Sequence, residues 1–272
     1  MLGGGGVTGI AWEIGLLAGL AGAGVDLTSA DLVVGTSAGS VVGGLVLGGA
    51  ALEDLYSGQL RDATGEVAAK MGLGVLVRIA ASSLTRDERR GRARLGRAAL
   101  AARTGPRSER RTVFEERFGG RSWPERRLLV TAVDAETGEA VVLDRDSGVS
   151  LVDAIAASCA VPLVWPPITI DGRRYIDGGV RSLANADLAA GCDRVVVLAP
   201  LTAALRRSGR ISSQLASLGP EVRSVAVSPD ARARRAIGRN VLDPARRAAA
   251  AHAGRAQALA AAKAVADVWS SA

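Results

Sequence analysis

The sequence predicts an α/β protein, with a mainly parallel sheet covered by helices on both faces. Short unbroken apolar runs bounded by turn residues, such as Asp31–Val34 and Arg194–Leu198, alternate with longer stretches of helical periodicity. That is the pattern of strands buried on both faces. A Gly-x-Ser-x-Gly pentapeptide stands at one strand-to-helix join. Aromatic residues make up only 3% of the 272 residues, so Val, Leu, Ile and Ala must fill the core. A chain of this length suffices for one large domain, and a single domain over 1–272 is expected.

The glycine run Gly3–Gly6 opens a helix over Val7–Gly24, with Ile10, Ile14, Leu17 and Leu20 on one face. The buried strand Asp31–Val34 runs into Gly35-Thr36-Ser37-Ala38-Gly39 and a small-residue apolar helix, Ser40–Leu47. Residues 51–121 read as helical and irregular, with Arg-rich turns and a break at Gly105-Pro106. Arg127–Asp134 and Ala140–Leu143 form a hairpin around Glu136-Thr137-Gly138-Glu139. Leu151–Ala160 is a helix stopped by Pro162, with Pro166-Pro167 forcing an extended exit. Ile168–Ile170 and Arg174–Ile176 make a second hairpin around Asp171-Gly172, ending in Asp177-Gly178-Gly179. Ala186–Gly191 is a short helix feeding the strand Arg194–Leu198, and Ser224–Val227 is a last strand. The C-terminal segment 240–272 carries a long Ala-rich helix, Ala245–Trp269.

The net charge of +7 is uneven. Residues 51–121 hold 15 basic and 9 acidic residues, and residues 206–255 hold 11 and 3. Such blocks attract anionic partners, lipid headgroups and phosphorylated molecules among them; in an Arg-rich composition they also serve as solvated helical surface. Nucleic acid is excluded as the partner, because the blocks hold almost no aromatics for base stacking and no zinc or RNP-type motif. Cys159 and Cys192 cannot build a disulfide framework. With no charged leader and no convincing 18-residue apolar span (Ser37–Leu52 comes nearest), a cytoplasmic protein is expected, one that can rest peripherally on the inner face of the membrane.

The pentapeptide Gly35-Thr36-Ser37-Ala38-Gly39 carries the chemistry. A sharp strand-to-helix turn strains the serine backbone, and the flanking glycines let strand and helix approach. The hydroxyl of Ser37 then projects at a helix N-terminus, whose dipole favours an alkoxide-like nucleophile. Such a serine needs a base. His252 is the single histidine, and the order Ser37, an Asp, His252 fits a hydrolase triad. It lies mid-helix among Arg246, Arg247 and Arg255, however, with nothing to aim it at Ser37. Asp177, at a strand end before two glycines, is the alternative: a carboxylate that bonds the serine directly and makes a dyad. Gly4, Gly5 and Gly6 form a nest of backbone amides for an oxyanion, with about 3–4 kcal/mol of transition-state stabilisation per well-placed donor. Gly4-x-Gly6-x-x-Gly9 also fits a dinucleotide loop, but only Met1-Leu2 precede it, so the strand that loop requires is expected to be missing.

Together and in this order, Gly4-Gly5-Gly6-Val7-Thr8-Gly9, Gly35-Thr36-Ser37-Ala38-Gly39 and Asp177-Gly178-Gly179 resemble the three signatures of the patatin-like phospholipase family. The segment Ala157-Ser158-Cys159-Ala160-Val161-Pro162, with Pro166 beyond it, is similar to the family's lead-in to the aspartate. The resemblance covers residues 1–200. It implies a three-layer α/β/α fold, a Ser37–Asp177 dyad, an oxyanion hole at Gly4, Gly5 and Gly6, and hydrolysis of lipid esters without a metal or organic cofactor. Thr8 stands where the family usually has Lys or Arg, which removes a fixed positive charge beside the glycine loop. The expected protein is a serine lipid acyl hydrolase whose segment 51–121 is a basic lid facing an anionic membrane. The competing expectations are a catalytically idle binding protein on the same fold, and a His252-dependent esterase.

Overall fold

A computed structural model of the chain describes residues 1–61, 69–104, 107–204 and 206–270. The elements run α1 (Gly6–Gly22), β1 (Leu32–Thr36), α2 (Ala38–Leu47), α3 (Leu52–Leu60), α4 (Leu73–Ser83), α5 (Glu88–Ala101) and α6 (Arg107–Phe118). Then follow β2 (Arg127–Asp134), β3 (Ala140–Leu143), α7 (Leu151–Ser158), β4 (Ile168–Ile170), β5 (Arg173–Asp177) and β6 (Arg194–Leu198). The chain ends with α8 (Ile211–Ser217), β7 (Arg223–Val227), α9 (Ala231–Ile237) and α10 (Arg247–Trp269). The expected break at Gly105-Pro106 lies outside the described residues.

The layers follow from the alternation of the strands. Val196 and Leu198 of β6 join the main core with α1, α2, α7 and α10, whereas Val195 and Val197 face a second cluster with Ala184, Ala186 and Ala189. Likewise Val130 and Ala132 of β2 enter the main core, while Val133 packs with Ile176 and with Ala99 of α5. Both faces of the sheet are therefore covered, as the period-2 geometry of strands requires.

The sheet is mixed in direction. β1 runs parallel to β2 and β6 parallel to β7, but β3 pairs antiparallel with β2 and β4 with β5 through hairpins too short for a parallel crossover, and β5 lies antiparallel against β2. The expectation of a missing strand at the glycine run is corrected. Leu2 bridges both Gly35 and Leu198 in parallel, donating to Val34 O at 2.9 Å and accepting from Thr36 N–H at 3.0 Å. Met1–Gly3 thus lies between β1 and β6 and joins the two groups of strands.

The register of β2 positions everything that follows. Its residues Val130–Val133 pair on one edge with β3. On the opposite edge Gly35 and Thr36 of β1 pair with Val130 and Thr131, and Asp177 and Ile176 of β5 pair with Ala132 and Val133. β1 and β5 therefore run head-on along one edge, and their C-terminal ends meet at the consecutive residues Thr131 and Ala132.

Candidate active site

Ser37 follows directly on β1 and N-caps α2, with φ 52° and ψ −114°. This left-handed-side conformation costs a non-glycine residue about 1–3 kcal/mol. Local packing enforces it: a Cβ on Gly39 would sit 2.0 Å from Leu2 O, so strand and helix touch at backbone distance. The Ser37 N–H donates to Ser158 Oγ at 2.9 Å, and its carbonyl accepts from Ser40 Oγ–H at 2.7 Å and the Cys159 thiol at 3.3 Å. Ser158 and Cys159, at the end of α7, clamp the elbow from behind.

Asp177 ends β5. Its N–H donates to Ala160 O at 3.0 Å, and its Oδ1 accepts from Gly179 N–H at 2.7 Å. Ser37 and Asp177 are only 7% and 5% exposed, and both line one cavity of about 380 Å³. A Cβ built on Gly4 would lie 3.7 Å from Ser37 Cβ and 3.5 Å from Leu183 Cδ2; one on Gly179 would lie 3.4 Å from the same Leu183 carbon and 2.9 Å from Asp177 Oδ1. The structure thus brings serine, aspartate and glycine run to one place. Asn185 braces the junction: its Nδ2 donates to Thr36 Oγ1 at 2.9 Å, while its Oδ1 accepts from Arg181 at 2.6 Å.

The glycine run offers fewer donors than its length suggests. Gly4 N–H is engaged by Leu183 O at 2.8 Å, which corrects the expectation that all three amides face the cavity. The N–H groups of Gly5 and Gly6 make no hydrogen bond among the described residues, and α1 begins at Gly6, so its positive end adds to them. Gly6 has φ +60°, and a Cβ there would meet Val241 O at 2.6 Å. Thr8 is fully buried, and its hydroxyl donates to Val241 O at 3.3 Å. Beneath the loop, Glu13 is also fully buried and accepts Gly3 N–H at 2.9 Å. Burial pushes its carboxyl well above the usual range, against the Gly3 N–H and the positive charge at residue 1.

The cavity walls are largely apolar, with Ile79 from α4, Met71, Val161, Pro162, Leu201 and Leu242 among them. His252 is not among the lining residues. It is exposed on α10, where its Nδ1 pairs with the Tyr56 hydroxyl of α3 at 2.7 Å.

Residues 1–190 match the family model described as Patatin-like phospholipase. No curated protein matches the chain. Among solved structures the chain is similar to VipD from Legionella pneumophila, at 13% identity and a TM-score of 0.48, over 97% of this chain and 66% of that one. It therefore spans just under two thirds of that protein's length.

Proposed function

The chain belongs to the patatin-like phospholipase family, and we propose that it is a serine acyl hydrolase that cleaves lipid esters with a Ser37–Asp177 dyad. The observation that carries this reading is the head-on meeting of β1 and β5 on one edge of β2, which delivers a nucleophile and a carboxylate to one cavity. Ser37 Oγ attacks the ester carbonyl carbon while Asp177 takes its proton. The amides of Gly5 and Gly6 hold the oxyanion, each worth about 3–4 kcal/mol to the transition state. Collapse of the tetrahedral intermediate expels the alcohol, which receives the proton from Asp177 and leaves an acyl-serine. Asp177 then deprotonates a water that attacks the acyl carbon, and protonates Ser37 as the fatty acid departs.

In this reading the lid expected over residues 51–121 is confined to α4, because Ala99 of α5 and Phe114 and Phe118 of α6 are buried in the cores. α4 contributes Ile79 to the cavity wall while Val77 and Leu84, 57% and 72% exposed, point outward near Arg78 and Arg86. Exposed apolar residues among arginines suit the surface of an anionic bilayer. Among the described residues no helix is long and apolar enough to cross a membrane, so the proposed contact is peripheral.

The test is hydrolysis of a medium-chain p-nitrophenyl ester together with labelling by a fluorophosphonate probe. Ser37→Ala and Asp177→Asn should abolish turnover, and only Ser37 should be labelled. Turnover lost in His252→Ala with the fold intact would replace the dyad by a triad; an unlabelled, inactive wild type would leave a binding protein.

A further inference from the structure

The cavity has one charged end, and the mechanism above does not use it. Arg92 of α5, Arg181 and Arg206 line it together with Glu88 and Ser208. Glu88 lies between two of the cations, its Oε2 3.6 Å from Arg92 Nη1 and its Oε1 3.5 Å from Arg206 Nη1. The Ser208 hydroxyl donates to Glu88 Oε1 at 2.7 Å. Arg181 is pinned by Asn185 and by Asp187, whose Oδ1 it reaches at 3.1 Å. Besides its burial, Arg92 senses the charges of Arg181 and Arg206, which oppose its ionisation, and of Glu88 and Asp87, which favour it. Asp87 is itself turned to Arg90 at 3.2 Å. Three guanidinium groups thus share a partly desolvated recess with Glu88 and Asp187, and Asp177 lines the same cavity one turn before Arg181.

Its place in the cavity matters as much as its sign. Arg181 follows Asp177 by a single 3-10 turn, closed by its N–H on Gly178 O at 3.0 Å. In the proposed mechanism Asp177 protonates the departing alcohol, so the segment that carries Arg181 begins at the leaving-group carboxylate, and Arg92 and Arg206 line the same cavity. A phosphate monoester carries about −1.5 to −2 charges at neutral pH, against −1 for a carboxylate, and its oxygens suit the forked donors of arginine.

We propose that this end of the cavity is a subsite for a phosphate monoester on the alcohol portion of an acyl ester, with Glu88 as the resident anion that the phosphate displaces. The proposal rests on the hydrolase reading for its link to turnover, but binding can be read without catalysis. The experiment titrates the Ser37→Ala protein by calorimetry with an acyl glycerol phosphate, the matching monoacylglycerol and inorganic phosphate. The phosphate-bearing lipid should bind at least about tenfold more tightly than the neutral one, a difference of about 1.4 kcal/mol. Arg92→Gln and Arg206→Gln should each erase most of that preference, and Glu88→Gln, which removes the competing anion, should increase it.

Equal affinity for the two lipids, or a preference that survives both arginine variants, overturns the subsite. So does Glu88→Gln weakening the phosphate-bearing lipid selectively. Arginine-dependent binding of inorganic phosphate with no preference between the lipids assigns the site to free phosphate and overturns the leaving-group assignment. Absence of lipid preference in a protein whose wild type hydrolyses neutral esters refutes the subsite alone; a clear preference in a protein that hydrolyses no ester refutes the dyad alone.

Discussion

Gly178→Ala tests the strand junction directly. A Cβ at this position would lie 2.2 Å from Thr131 Oγ1 and 2.4 Å from Thr131 O. Carbon and oxygen relax only at about 3.3–3.6 Å, so roughly 1 Å must be found. Thr131 cannot supply it: it is paired with Thr36 on one edge of β2 and Val142 on the other, and its hydroxyl bonds Thr36 Oγ1 at 3.0 Å. The displacement therefore falls on β5 and carries Asp177 away from Ser37. A misplacement of about 1 Å costs on the order of a hundredfold in kcat, and the overpacking about 1–3 kcal/mol of stability. Gly172→Ala is the matched control. Gly172 has φ +77°, and a Cβ there would have no atom within 4 Å, so alanine meets backbone strain of about 1–2 kcal/mol but no neighbour. Ester turnover and thermal melting should then separate the two variants: both melt lower, by about 2–4 °C per kcal/mol, but only Gly178→Ala loses turnover. Wild-type turnover in Gly178→Ala would refute the argument that β2 sets the alignment.

Ser158→Ala should lower stability by about 1–3 kcal/mol, because the Ser37 N–H is left buried without an acceptor, and should slow turnover as the elbow relaxes; an unchanged melting temperature and rate would refute the clamp. Glu13→Gln should flatten the pH dependence of stability. A carboxyl whose folded-state pKa is raised contributes stability that is complete below its ordinary value of 4.5 and is lost as pH climbs through the raised value. The wild type should therefore melt progressively lower as pH rises in that window, while the Gln variant holds level; parallel melting profiles would refute this. Tyr56→Phe removes the hydrogen bond to His252 and should cost about 1 kcal/mol while leaving kcat unchanged, a direct check that this pair clasps α3 to α10 and takes no part in turnover.

The elements of the site were legible wherever local chemistry demanded a particular residue. Gly35, Gly39 and Gly178 are required by close backbone approaches, and such demands leave a mark in sequence. The two hairpins and the strand Arg194–Leu198 were legible from turn residues and apolar runs for the same reason. Non-local register leaves no such mark. Nothing in β2 announces that Thr131 and Ala132 receive the ends of two other strands, and a bridge as short as that at Leu2 has no periodicity to detect. The seven-residue helices α8 and α9 escape a sequence reading because two turns carry little amphipathic pattern. Engagement of Gly4 by Leu183, and the bracing by Ser158 and Asn185, depend on partners over a hundred residues away. The arginines were legible as charge but not as a cluster, since Arg92 and Arg206 come from separate basic blocks that only the fold unites around Glu88.

The strand that aligns Ser37 with Asp177 contributes neither of them. The gap between hydroxyl and carboxylate is inherited from the repeat of a single extended backbone, a length that side-chain change hardly alters. Much of the surrounding wall, Met71, Ile79, Leu201 and Leu242 among it, comes from segments outside that ruler. Exchanging them offers a route to new ester preferences in which the chemistry travels intact from one pocket to the next.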